Sequence, residues 1–96
     1  MPSKTGPYRD ALLEALADRD EAAHYLNAAI EDSPEMFLKA LRNIAQSRQM
    51  TKVARRAGVT RKSLYRATSL TGNPTLDTLR SVRSALGLKI RIEADV

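Results

Sequence analysis

The sequence has no cysteine and no tryptophan, only one histidine, and only four aromatic residues, three tyrosines and a phenylalanine. Without cysteine, disulfides and thiolate metal sites are excluded, which fits a reducing compartment. So few rings leave little of the filling a sheet sandwich needs, whereas Ala and Leu recur throughout, as suits close-packed helices. No apolar run approaches the roughly 18 residues of a membrane helix. The opening MPSKTGPYRD also lacks the apolar segment of a signal peptide. We therefore expect no membrane association and a cytoplasmic location. Catalytic constellations are lacking too. His24 lies in an Ala-rich amphipathic stretch, where it is expected to be structural or exposed. Asp18, Asp20 and Glu21 gather at an expected helix start, where capping and dipole effects account for them better than acid–base chemistry or a metal. Met1, Met36 and Met50 are scattered and suggest no cofactor box. The expectation is a protein that is not an enzyme and has no cofactor and no metal.

What is present bounds the fold. A chain of 96 residues with 43% hydrophobic content can bury one modest core but not two. The net charge of +5 is unevenly distributed: residues 1–47 carry five basic and eight acidic side chains, residues 48–96 eleven and three. Between Arg48 and Arg66 stand seven basic residues and no acidic one. Such a run points to a polyanionic partner, with a merely solvated face as the alternative.

Residues 1–7, with Pro2, Gly6 and Pro7, read as a disordered tail preceding a single domain over 8–96. Tyr8, Leu12, Leu13 and Leu16 line one face of a first helix. Asp18 to Asp20 offers caps for a second, whose stripe is Ala22, Leu26, Ala29 and Ile30. Ser33-Pro34-Glu35 starts a third helix through about Ser47, packing through Phe37, Leu38, Leu41, Ile44 and Ala45. After the break Gly72-Asn73-Pro74-Thr75, Thr75 or Asn73 caps a last helix with Leu76, Leu79, Val82 and Leu86 inward, ended by Gly87. In the tail, Leu88, Ile90 and Ile92 alternate with Lys89, Arg91 and Glu93, the two-residue period of a half-buried strand over 88–93. No other segment reads as strand, so its partner is expected to be a second copy or another protein's sheet edge; a frayed end is the alternative.

The segment MTKVARRAGVTRKSLYRATS, within residues 50–69, has the pattern of two short helices around a tight turn, a helix-turn-helix. Gly58 suits a positive φ, Thr60 can cap the second helix, and Ala54 is small enough for a close crossing. Val53, Ala57, Val59, Leu64 and Ala67 supply the apolar contacts. With Leu64 and Ala67 inward, Arg61, Lys62, Tyr65 and Arg66 lie on or beside the opposite face, which suits a DNA major groove. Thr60, Arg61, Lys62, Ser63 and Tyr65 are the candidates for bases or groove. Lys52, Arg55 and Arg56, with Arg66, are the candidates for backbone phosphates, which position a protein without reading sequence. Tyr65 can pack its ring on the core and still offer its hydroxyl to a phosphate.

Residues 48–88, with AxxAGVTRKSLYRA, GNPTLDTL and ALGL, resemble a helix-turn-helix domain of the lambda-repressor/Cro type. With YRDALLEAL, HYLNAAIED and SPEMFLKALRNIA before it, nearly the whole chain resembles the addiction-module antidote family, HigA-like antitoxins of RelE/ParE-type toxins. Arg48-Gln49 stands where a glycine is expected before Met50, and Thr68-Ser69-Leu70-Thr71 departs from the usual loop. The resemblance implies an all-α bundle of about six helices that dimerises on double-stranded DNA, represses its own operon and neutralises a small toxin protein of the RelE, ParE or HigB type. By motif position it implies Thr60, Arg61, Lys62, Ser63 and Arg66 as DNA-reading residues. The tail residues Leu88, Ile90 and Ile92 are the candidates for a dimer or partner contact. A free-standing repressor without a toxin, and a protein-interaction module without DNA binding, are the alternatives.

Overall fold

The computed structural model describes residues 6–95 and is all-helical over them, with no strand among the described residues. The helices are α1 (Gly6–Leu16), α2 (Arg19–Asp32), α3 (Pro34–Ser47), α4 (Met50–Ala57), α5 (Arg61–Ala67) and α6 (Leu76–Ala85). None is long and apolar enough to cross a membrane.

Four starts follow from one local device, a side-chain oxygen accepting from an amide two or three residues on. Asp18 accepts from the amides of Asp20 and Glu21, Ser33 from Met36, Thr60 from Ser63 and Thr75 from Thr78. Pro34 follows Ser33 where a missing N–H costs nothing. The end of α4 is equally local: Gly58 takes φ 73°, its N–H donates to Arg55 O, and Val59 N–H reaches back to Ala54 O.

The amphipathic α3 is the spine. Its buried residues Leu38, Ala40, Leu41, Asn43, Ile44 and Ala45 lie on the helix against which α1 and α2 pack, and α4 packs on both α3 and α6. The core joins Leu16, Ala22, Leu41, Ile44, Ala45, Met50, Val53, Ala54, Leu64, Val82 and Leu86. In α5 the only buried residue is Leu64, fully enclosed, and burial of such a side chain contributes about 1.5–3 kcal/mol.

Four expectations need correction. Gly6 and Pro7, expected in a disordered tail, already belong to α1, since proline is tolerated in a first helical turn; residues 1–5 of that tail lie outside the described residues. Tyr8 and Ile30, expected on inward faces, are exposed. Leu76, expected inward, is 70% exposed because it opens α6 at the rim of the groove facing the C-terminal segment. The strand expected over 88–93 is absent. A strand needs a ladder partner, and no other strand is present among the described residues to supply one. Its Leu88 alone is anchored, packing against the core with its N–H donating to Arg83 O.

Candidate nucleic-acid interface

The turn between α4 and α5 is three residues long, Gly58 to Thr60. Small Ala54, 3% exposed, lies beneath it, so the two helices meet closely. On α5 the inward positions are Leu64 and the partly buried Ala67, and Arg61, Lys62, Ser63 and Arg66 are exposed. Three cations of a seven-residue helix therefore face solvent, with no acidic residue in the helix.

Thr60 and Ser63 are occupied with each other. The Ser63 amide donates to Thr60 Oγ1 at 3.0 Å, and the Thr60 hydroxyl donates to Ser63 Oγ at 2.9 Å. Thr60 is thus spent as a cap, and Ser63 keeps its own O–H free to donate.

Tyr65 is half-buried against the core. Two guanidiniums approach its ring, Arg42 at 5.1 Å from the centroid and Arg61 at 5.5 Å. The Arg61 Nη2 donates to the phenol oxygen at 3.4 Å. That hydrogen bond is the main reason the Tyr65 pKa lies below its ordinary value; burial opposes the shift, and the Gln46 side chain and the charges of Arg61 and Arg42 add to it. A more acidic phenol is a better donor to an anion such as phosphate.

Arg42 was not among the residues expected at this site. From α3 its Nη2 donates to the Tyr65 carbonyl and its Nε to Thr68 Oγ1 at 3.2 Å. It thereby satisfies the Tyr65 carbonyl near the open C-terminal end of α5 and ties that helix to the spine. The signal was an arginine set between Leu38, Leu41 and Ala45 on an otherwise apolar helix face.

The α4 candidates split between two flanks. Thr51 shares a cleft with Arg61 and Tyr65, and Arg55, one turn on, lies on that flank. Arg56 instead lines clefts with α6, one beside Arg19 and Arg48, another beside Asp77, Arg80 and Arg83; Lys52, one turn before it, shares that flank. Arg48 is turned inward, donating to Leu86 O at 3.2 Å and Leu16 O at 3.4 Å, the carbonyl ends of α6 and α1. Of the tail candidates, Leu88 is taken up by the core, whereas Ile90 and Ile92 are 52% and 97% exposed. His24 is exposed.

An uncharacterized protein from Haemophilus influenzae is 43% identical over 81 residues, 83% of this chain and 84% of that one. No solved structure matches the chain. A family model described as a probable addiction module antidote protein matches residues 9–94, almost every residue whose packing is set out above. On that match the chain belongs to the family of probable addiction module antidote proteins.

Proposed function

We propose that the chain is the antitoxin of a type II toxin–antitoxin module, which neutralises a small toxin of the RelE, ParE or HigB type and represses its own operon as a DNA-bound dimer. Membership in an antidote family implies the toxin partner. The DNA reading rests on one observation: α5 presents Arg61, Lys62 and Arg66 outward at the end of a tight turn, with no carboxylate among them. In this reading the α4–α5 pair is a helix-turn-helix of the lambda-repressor/Cro type, with α5 in the major groove. Arg61 and Lys62, in its first turn, approach base edges, and an arginine there can bond guanine O6 and N7 together. Tyr65 and Ser63 supply further donors, while Lys52, Arg55, Arg56 and Arg66 neutralise phosphates. Two half-sites are needed because one short helix buries too little surface for tight binding. The chain works in the cytoplasm by binding and carries out no catalysis.

The test is DNA binding measured by anisotropy across a salt series, using the region upstream of the chain's own gene. Four phosphate contacts per copy in a dimer give a log–log salt slope of about −7. Arg55→Ala should weaken all sequences alike and reduce that slope by about two. Arg61→Ala should relax preference at one base pair per half-site. Indifference to DNA at low salt would remove the repressor reading and leave an interaction module.

A further inference from the structure

A chain of four polar side chains from three helices, Tyr25, Asn43, Arg9 and Gln46, leads to the cleft that Arg9 and Gln46 share with Tyr65. Arg9 of α1 donates through Nη1 to Asn43 Oδ1 at 2.9 Å and through Nη2 to Gln46 Oε1. Asn43, 4% exposed, has its carbonyl engaged by Arg9 and its amide donating to the Tyr25 hydroxyl of α2 at 2.9 Å. Its orientation is therefore fixed from both sides, and so is the guanidinium it holds. Gln46, with its oxygen taken by Arg9, is left with its amide N–H groups to offer. It lines one cleft with Arg9, Arg61 and Tyr65. With its N–H groups unused, the carboxamide can meet the Tyr65 hydroxyl as a donor, the direction that matches its lowering of the phenol pKa. The phenol oxygen accepts from Arg61 at 3.4 Å and shares its cleft with the Gln46 carboxamide.

We propose that Arg9 is a positioning residue for the DNA-reading face, acting through Gln46 and Tyr65 to fix where the Arg61 guanidinium points. The inference rests on the DNA reading given above. An exposed arginine otherwise samples many rotamers and gives up that freedom on meeting a base. Here ring, hydroxyl and a pinned cation restrict it beforehand. Arg42 clamps the backbone of α5, so the helix stays in place when Arg9 is removed and only the side-chain layer loosens.

The experiment compares wild type, Arg9→Ala, Gln46→Leu, Arg61→Ala and the Arg9→Ala/Arg61→Ala double variant. Binding is measured to duplexes selected by the wild type from a random library, and to copies altered at the base pair that Arg61→Ala stops discriminating. Arg9→Ala should lose roughly three- to tenfold of the discrimination at that base pair, as the release of one ordered side chain implies, with binding to unrelated DNA unchanged. In the Arg61→Ala background the same change should have no further effect. The Tyr65 ring-carbon resonance should titrate at higher pH in Arg9→Ala and in Gln46→Leu, a readout that a purely structural role would not move. If Arg9→Ala unfolds, Gln46→Leu carries the test alone. Selective binding by the wild type with discrimination kept in the folded variant, or additive losses in the double variant, would overturn the role of Arg9 and leave the DNA reading standing. A wild type that selects no sequence would overturn both.

Discussion

Gln49 sits at φ 71° and ψ 113° and is the only non-glycine residue with positive φ among the described residues. Its side chain makes no capping hydrogen bond, so the conformation is imposed by the link from α3 to α4 and gains nothing from the glutamine. The residue belongs to the pair Arg48-Gln49, where a glycine is expected before Met50. Strain of about 1–3 kcal/mol, set against glycine's extra freedom when unfolded of about 0.5–1 kcal/mol, leaves a net gain near 1 kcal/mol. Gln49→Gly should therefore raise the melting temperature by about 4–8 °C in a domain this small, and Gln49→Ala should not. Tyr65 yields a second prediction at this scale. Because its folded-state pKa is lowered, the unfolded chain binds more protons between the two values, and stability rises with pH across that window. The contribution is complete only above about pH 10, the ordinary tyrosine value, and is lost as pH falls through the lowered folded value. Arg61→Ala removes the main cause and should move the Tyr65 titration upward; an unmoved titration would break the pairing of the two side chains.

A helix of seven residues is too short to persist alone, so α5 depends on its ends and its one buried contact. The Thr60 cap holds the first turn, Leu64 the middle, and Arg42 the Tyr65 carbonyl and the Thr68 hydroxyl at the far end. Thr60→Ala should lower stability by about 1 kcal/mol and speed amide exchange at Ser63 before the rest of the core, while Thr60→Ser keeps both near wild type. Uniform acceleration across all helices would show instead that α5 has no separate stability. The caps were legible in the sequence because their chemistry spans two or three residues: Asp18, Ser33, Thr60 and Thr75 each serve where that spacing predicts. So was the outward placement of Arg61, Lys62 and Arg66, which follows once Leu64 points inward. The contacts that span 34 and 37 residues from Arg9 were not legible, nor was the hold of Arg42 on α5, because no local pattern encodes which helix passes beside which. The period of two at 88–93 is real as a sequence pattern, yet alternation specifies a face and cannot supply the neighbouring strand.

On the scale of the molecule, the basic C-terminal half presents two cationic surfaces. One is the α5 face with Arg55; the other is the α6 side, where Arg80, Arg83, Lys89 and Arg91 line a groove with Leu76 and Ile90. The second presents large exposed aliphatic side chains, Leu76 and Ile90 in the groove and, farther along the segment, Ile92. Assembly through this second surface would leave α5 free for DNA, which the dimeric-repressor reading requires. Ile92 gives the sharpest test, because at 97% exposure its replacement should leave the isolated chain's unfolding free energy unchanged within about 0.5 kcal/mol. If a dimer covers Ile92 from both copies, Ile92→Asp removes roughly 3–6 kcal/mol of apolar burial from the interface. That corresponds to a dimer dissociation constant raised by about two to four orders of magnitude. Sedimentation equilibrium should then find a folded monomer at concentrations where the wild type is a dimer, and DNA binding should fall to that of a single half-site. A variant that still dimerises as tightly as wild type would show that the segment after Gly87 is not the self-association surface, and would leave Ile90 and Ile92 as contacts for the toxin.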